Sequence, residues 1–513
     1  LPIVIAGAVP PHPDLSHATT AVCGVAKRLG RETPKINRRT LARFKEFVHI
    51  WIKKNLRPLS LSETLTFSEW IASRPYPLVR KRDLIRKYIA VVRIDDPDKR
   101  YYALKCFIKD EFYPEYKHAR GIYSRSDEFK CFTGPWFSAI EKVVFQLPWF
   151  IKYVPVSERA QHVRDRLEMP GAKYIYTDYT AFESSFAAEF MEACEFELYR
   201  YMVGDLAAGS EFLKVAEEAI LGPQKLNFRS FKASLKARRQ SGEMCTSLGN
   251  GFSNLMIYLF ACSEQGMLDS AVGFVEGDDG LFRCQFPELL EPYFAELGFT
   301  IKLGTTDDLS RASFCGMLYD ITNGAVVTDV REALCTFGWV AARYRRARRS
   351  NLEALLRAKA LSMAYSYPKC PMLSTFALKV LSLTARVTNR DMVKWAQLAM
   401  NQYELETFVQ ALRRGITNVP VSITARKLVE DEYNVPICAQ LAFEARVNAM
   451  TALAPICSPE LLACTPIAWE RNWMRYTQTS ETHMRCDVVS AVSVLKSVRN
   501  QRGEPVVSGL LVR

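Results

Sequence analysis

The chain has 513 residues, 49% of them hydrophobic and 24% charged, a balance that excludes disorder as the default and allows one large multi-lobed domain or two to four smaller ones. Lys and Arg outnumber Asp and Glu by 68 to 55, a formal net charge of +13, so polyanions (nucleic acid or an anionic membrane surface) are the partners to expect. Fourteen scattered cysteines form no CxxC pair, which argues against a cysteine metal site, and no run of about eighteen apolar residues exists to span a membrane.

Residues 1–35 are rich in proline and small residues and are expected to run as an extended arm. The start, LPIVIAGAVPPHPD, lacks a basic n-region and an initiator methionine, so it reads as an internal cut from a longer product rather than a signal peptide. From Asn37 to Asn55 the apolar residues fall at helical spacing. Residues 71–130 carry fifteen Lys or Arg against nine Asp or Glu, with aromatic residues between the charges. Alternating β-formers in KYIYTDY predict a strand that ends near Asp178, with Glu183 five residues on. Residues 187–235 read mainly as helix, AAEFMEACEFELYRYMV being the clearest part. Short strands are expected around 271–284 and 299–303, then long helices from about Asp329 onward.

The stretch GFVEGDDGLFRC reads as strand, tight turn, strand, with Asp278 and Asp279 at the tip. An exposed Asp-Gly turn would read the same way. Adjacent carboxylates repel unless something positive sits between them, and a divalent cation is the usual remedy. If the strand of Asp178 lies beside this hairpin, three carboxylates meet, a donor set of hard oxygens that suits Mg²⁺.

The third element is RRQSGEMCTSLGNGFSNLM, residues 238–256. Ser241 and Gly242 open a turn, and Thr246, Asn250 and Asn254 follow at four-residue spacing, which sets them on one helix face. Such a stripe among Met, Leu and Phe reads either as satisfied core amides or as a surface for a sugar hydroxyl and a template backbone.

In this order the segments resemble the RNA-dependent RNA polymerases of positive-strand RNA viruses. DYTAFE is similar to their motif A, SGEMCTSLGN to motif B and GDD to motif C, about 60 and then about 35 residues apart. LGFTIKLGTT resembles motif D with Lys302 as its lysine, and SFCGMLYD at 313–320 resembles motif E. CFIKDEFYPEYKHARGIYSRSDEFK is similar to motif F, which makes Lys109, Lys117, Arg120 and Arg125 the candidates for a cationic nucleotide channel, Arg120 above all. The noda-like and tombus-like branch is nearest, close to the sinaiviruses or statoviruses. The chain departs from the family at Glu183, where a second motif A aspartate is common. The longer side chain shifts the carboxylate by about 1.5 Å, one carbon–carbon bond.

The resemblance implies an α+β right-hand fold: fingers, palm with an antiparallel sheet, and a mainly helical thumb. The expected divisions are an N-terminal extension over 1–75 that bridges fingers and thumb, fingers over 76–170 and 191–240, palm over 171–190 and 241–325, and thumb with a tail over 326–513. It further implies template-directed nucleotidyl transfer with two Mg²⁺ ions, or Mn²⁺ in their place. Asp178, Asp278 and Asp279 would bind metal; Lys302 would protonate pyrophosphate; Glu183, Ser241, Gly242, Thr246 and Asn250 would meet the nucleotide. Arg343, Arg345, Arg346, Arg348 and Arg349, in the basic run RYRRARR, would contact product RNA phosphates, with a solvated helix face as the alternative. NTPs, template and product RNA, other replicase regions and a host membrane surface are the implied partners, in a membrane-associated complex of the host cytoplasm. Two rival readings stand: a Mg²⁺-dependent nuclease, and an RNA-packaging protein without catalysis.

Overall fold

Asn37 opens the helix that the apolar spacing predicts. Its side chain accepts from Arg39 N and Thr40 N, and the helix runs Arg38–Asn55 with Phe44, Val48, Trp51 and Ile52 buried on one face. The computed structural model describes residues 1–15, 18–32, 35–91, 99–204, 206–477 and 497–500. In chain order the first strands are β1 (Leu104–Ile108), β2 (Gly121–Arg125), β3 (Tyr174–Tyr179), β4 (Gln224–Asn227) and β5 (Phe231–Leu235). Then come β6 (Val272–Glu276), β7 (Asp279–Arg283), β8 (Ile301–Thr306), β9 (Met317–Asp320), β10 (Ala325–Thr328) and β11 (Ser497–Asn500).

Among the described residues the strands form three sheets. One has the order β11-β5-β4-β1-β2 and is antiparallel except where β1 runs parallel to β4. The second, β6-β7-β3-β8, is antiparallel throughout, and β9 with β10 forms the third. The fold is therefore a mixed α+β one with predominantly antiparallel sheets. Behind the four-stranded sheet lies the helix Thr246–Glu264, buried on every side from Leu248 to Cys262. Tyr258 stacks on Phe282 of β7 with ring centroids 3.6 Å apart, so this helix is a core element rather than an amphipathic surface one. From Val330 to Thr477 the described chain is helical, as expected, and folds around its own core of Val330, Leu356, Phe376 and Phe443.

Two expectations are corrected. Residues 1–35 are not simply an extended arm: Ala18–Arg28 is a helix whose Ala21, Val22 and Val25 pack under the sheet of β1, β4 and β5. Before it, Ile5 bridges Ile456, and both Ile3 and Ile5 are buried in the C-terminal core. The first thirty residues thus touch both the five-stranded sheet and the helical C-terminal part. Nor are residues 187–235 helical to the end. Gly222 and Pro223 stop the helix Gly209–Ile220, and a hairpin of β4 and β5 follows with alternating burial of Gln224, Leu226, Phe231, Ala233 and Leu235. A period of two is present there, hidden by the helical stretch before it.

The Asp127 carboxylate is the main tie between the helix Asp127–Val144 and Leu78–Val91, with Glu128 also 3.8 Å from Lys87. Asp127 accepts from Arg80 at 2.5 and 2.9 Å and from Lys87 at 3.0 Å, and mainly the Arg80 bonds hold its carboxyl well below the usual range. A depressed carboxylate stabilises above its unfolded value near 3.9 and loses that contribution as pH falls toward its folded value. Asp127→Asn is expected to cost about 1–2 kcal/mol at pH 7, with the difference from wild type shrinking below about pH 4 in urea titrations.

Candidate active site

β6 and β7 turn on Gly277 and Asp278, with Glu276 and Asp279 paired at the last rung. Gly277 has φ +61°, as the first central residue of a II′ hairpin turn requires, and a side chain there would be strained. The hairpin is held from behind. Asn254 Nδ2 donates to the carbonyls of Gly277 and Asp279 at 3.2 and 3.0 Å, and Tyr179 Oη donates to Asn254 Oδ1 at 3.0 Å. Asn254 is fully buried, so these bonds have no water to replace them. Asn254→Ala would strand two carbonyls and a phenol, and is expected to cost about 2–3 kcal/mol in chemical denaturation.

The strand β3 brings Asp178 to the same place. Tyr174, Ile175 and Tyr176 pair with Arg283, Phe282 and Leu281 of β7, and the same register carried two residues on sets Asp178 level with Asp279. Strands so paired lie about 4.8 Å apart. Thr177 Oγ1 donates to the Asp278 carbonyl at 3.3 Å, which ties the two strands at that point. On the other side Lys302 of β8 is the cross-strand partner of Asp178, so both side chains leave the same face of the sheet. Asp178, Asp278 and Lys302 are exposed and Asp279 is half-buried.

Burial, and then the charges of Asp278, Glu276 and Asp178, push the Asp279 carboxyl up to about 7. Lys152 lies 3.5 Å from Glu276, but among the described residues no ion pair joins Asp178, Asp278 or Asp279 to a cation. This crowd of uncompensated oxygens fits a divalent cation in donor type and charge. It is not a ready-made ligand set: among the described residues no three His, Cys, Asp or Glu side chains are grouped closely enough to hold an ion.

The Ser241–Gly242 loop is positioned by a buried ion pair. Arg239, wholly buried, donates to Glu195, whose other oxygen accepts from Tyr199 Oη at 2.7 Å. A Cβ on Gly249 would collide with both partners, which explains the glycine in the helix beside them. The loop's Ser241 carbonyl accepts from Tyr123 N at 2.7 Å, and Gly242 has φ +101°.

The polar stripe divides. Asn254 is committed to the hairpin, Thr246 Oγ1 donates to the Gln240 carbonyl at 2.7 Å, and Asn250 is buried with no hydrogen-bond partner for its Oδ1 among the described residues. Glu183 accepts from Ser241 Oγ, which joins two of the residues expected to meet the nucleotide.

The expected cationic channel also divides. Arg120 lies 3.6 Å from Glu111, and the carboxylates of Glu111, Glu183 and Asp278 outweigh the cost of burial and raise its affinity for the proton. Lys109 pairs with Glu111 at 2.6 Å and Lys117 with Glu115 at 3.6 Å. Arg125 is a correction. It is buried, bound to Glu243 at 2.6 Å and to the carbonyls of Tyr102 and Ala219, and so is closed to a substrate. Arg343, Arg345, Arg346, Arg348 and Arg349 are exposed far along the chain, Arg349 pairing with Glu353 at 3.1 Å.

Sequence reasoning missed one group. A cavity of about 710 Å³ opens beside Asp178, and Lys27, Arg28 and Arg31 line it together with Lys117. The signal is the basic run KRLGR, masked by the proline-rich, small-residue composition of the segment around it.

No family profile matches the chain. It is 26% identical over 244 residues to an RNA-directed RNA polymerase of striped jack nervous necrosis virus and 28% identical over 244 residues to that of greasy grouper nervous necrosis virus. The enzyme of Atlantic halibut nervous necrosis virus is 27% identical over 241 residues. Each match covers 45% of this chain but 24% of the relative, so the chain spans about a quarter of the length of the curated relatives it matches. These matches bear out the noda-like resemblance: the chain is related in sequence to viral RNA-directed RNA polymerases.

Proposed function

We propose that this chain is the catalytic part of a viral RNA-dependent RNA polymerase that adds nucleotides from NTPs to the 3′ end of RNA on an RNA template. The observation that carries the reading is the meeting of Asp178 with the Asp278–Asp279 hairpin on adjacent strands. The relatives' names support it. In this reading the palm is made of 171–190 and 241–325, the fingers of 76–170 and 191–240, and the thumb starts at 326, with 1–75 joining fingers to thumb.

Asp178, Asp278 and Asp279 would hold two Mg²⁺ ions, or Mn²⁺. Bound there, the metal supplies charge stabilisation to the attacking 3′-oxygen and the leaving pyrophosphate. The chain's own groups do the rest by positioning. Arg120 and Lys117, with Lys109 beside them, draw the triphosphate toward the carboxylates. Lys302, opposite Asp178, donates a proton to the departing pyrophosphate. The unpartnered Asn250 Oδ1 and the Glu183–Ser241 pair offer acceptor and donor groups to the ribose hydroxyls. The exposed Arg343–Arg349 run steadies product phosphates without reading sequence. A positive-strand genome and a membrane-associated replication complex in the host cytoplasm belong to the same proposal.

The test is purified protein with a primed RNA template, labelled NTPs and Mg²⁺. Template-dependent extension is expected. Shortening of the RNA would instead make the protein a nuclease, and binding without either would make it a packaging protein.

A further inference from the structure

We propose that the end of the helix Ala18–Arg28 and the turn after it form a polyphosphate-binding subsite, in which Arg28 and Arg31 hold the triphosphate of an incoming nucleotide. The inference rests on the polymerase reading for its substrate, but its geometry is independent of it. The cavity beside Asp178 is lined by Lys27, Arg28, Arg31 and Lys117 against Glu32 and Asp178, so positive charge faces the acidic floor. Its volume of about 710 Å³ matches a small-molecule site, since such pockets run from roughly 300 to 1,000 Å³.

The wall is built from three separate parts of the chain. Arg28 Nη1 donates to the His118 carbonyl at 3.3 Å, which fixes the helix end to the loop that carries Lys117. That loop is fixed again from behind, where Tyr476 Oη accepts from Lys117 N at 3.0 Å and donates to its carbonyl at 2.6 Å. The floor includes Ala181, a non-glycine residue at φ +52°, three residues past Asp178. Left-handed backbone in such a residue is strained and tends to cluster at ligand sites.

A plainer role exists for two of the cations. Lys27 and Arg28 stand in the last turn of their helix, where positive charge offsets the free carbonyls. Arg31 lies beyond the helix end, is exposed, and lines the cavity all the same. The helix end does not account for this third cation.

The experiment is calorimetric binding of inorganic tripolyphosphate to the full chain without metal, in wild type, Arg31→Gln and Glu32→Gln. Removing one charge-assisted hydrogen bond at a partly exposed site should weaken binding about 5- to 10-fold in Arg31→Gln. Removing the opposing acid in Glu32→Gln should tighten it, and both variants should melt at the wild-type temperature. A parallel titration with primer–template RNA separates the sources: RNA affinity is expected to hold in Arg31→Gln. Equal tripolyphosphate affinity in all three proteins, or a loss confined to RNA, overturns the subsite. A protein that binds tripolyphosphate as described but extends no RNA would sink the polymerase reading and leave the subsite standing.

Discussion

Asp278→Ala is expected to reduce template-dependent incorporation by roughly 10²–10³-fold or more while leaving the protein folded. The side chain is exposed at the tip of a two-residue turn, and its backbone carbonyl, which accepts from Thr177, survives the change. Among the described residues no hydrogen bond of the hairpin depends on the carboxylate. Its removal also takes a negative charge from beside Asp279, which lowers that neighbour's raised carboxyl toward its ordinary value. Unfolding in urea should therefore show stability equal to or slightly above wild type, whereas primer extension should be lost. A variant that loses both would signal a structural carboxylate instead.

Glu195→Leu should produce the largest loss of stability, about 3–5 kcal/mol, because it strands the Arg239 guanidinium where no water reaches. Both side chains are wholly buried, and Arg239 also lies over the Phe186 ring at 4.8 Å. The cost comes from the abandoned charge rather than from the worth of the pair. Glu195→Leu combined with Arg239→Met should recover part of the loss, because no buried charge is then left unpaired and only the Tyr199 hydroxyl loses its acceptor. Chemical denaturation of the two single variants and the double variant reads this directly. If the pair's value is to position the loop that begins at Gln240, the recovered double variant should still incorporate nucleotides poorly.

The acidic elements are legible in the sequence because their signals are local. Asp178 closes an alternating run, and Gly277 marks a two-residue turn, so β3, β6 and β7 are readable one by one. The order of three such segments then supplies a resemblance that pairwise comparison supports. What stays hidden is set by tertiary partners. Asn254 and Asn250 look alike at helical spacing, yet one is consumed by hairpin carbonyls and the other is left with a bare acceptor. Arg125 and Arg120 sit five residues apart in one basic stretch. Alternation along β2 turns Arg125 inward to Glu243, while Arg120 lies just before the strand, 3.6 Å from Glu111. The helix Ala18–Arg28 is too short and too rich in small residues to announce itself, because its stability comes from the sheet it covers.

The most direct test of the whole account is Mn²⁺ binding followed by electron paramagnetic resonance in wild type, Asp178→Asn and Asp278→Asn. Either substitution alone is expected to abolish the tightest Mn²⁺ site, because the proposed site draws on carboxylates a hundred residues apart in sequence. Retention of that site in both variants would show that the two strands hold no common metal, and the catalytic reading would fall with it.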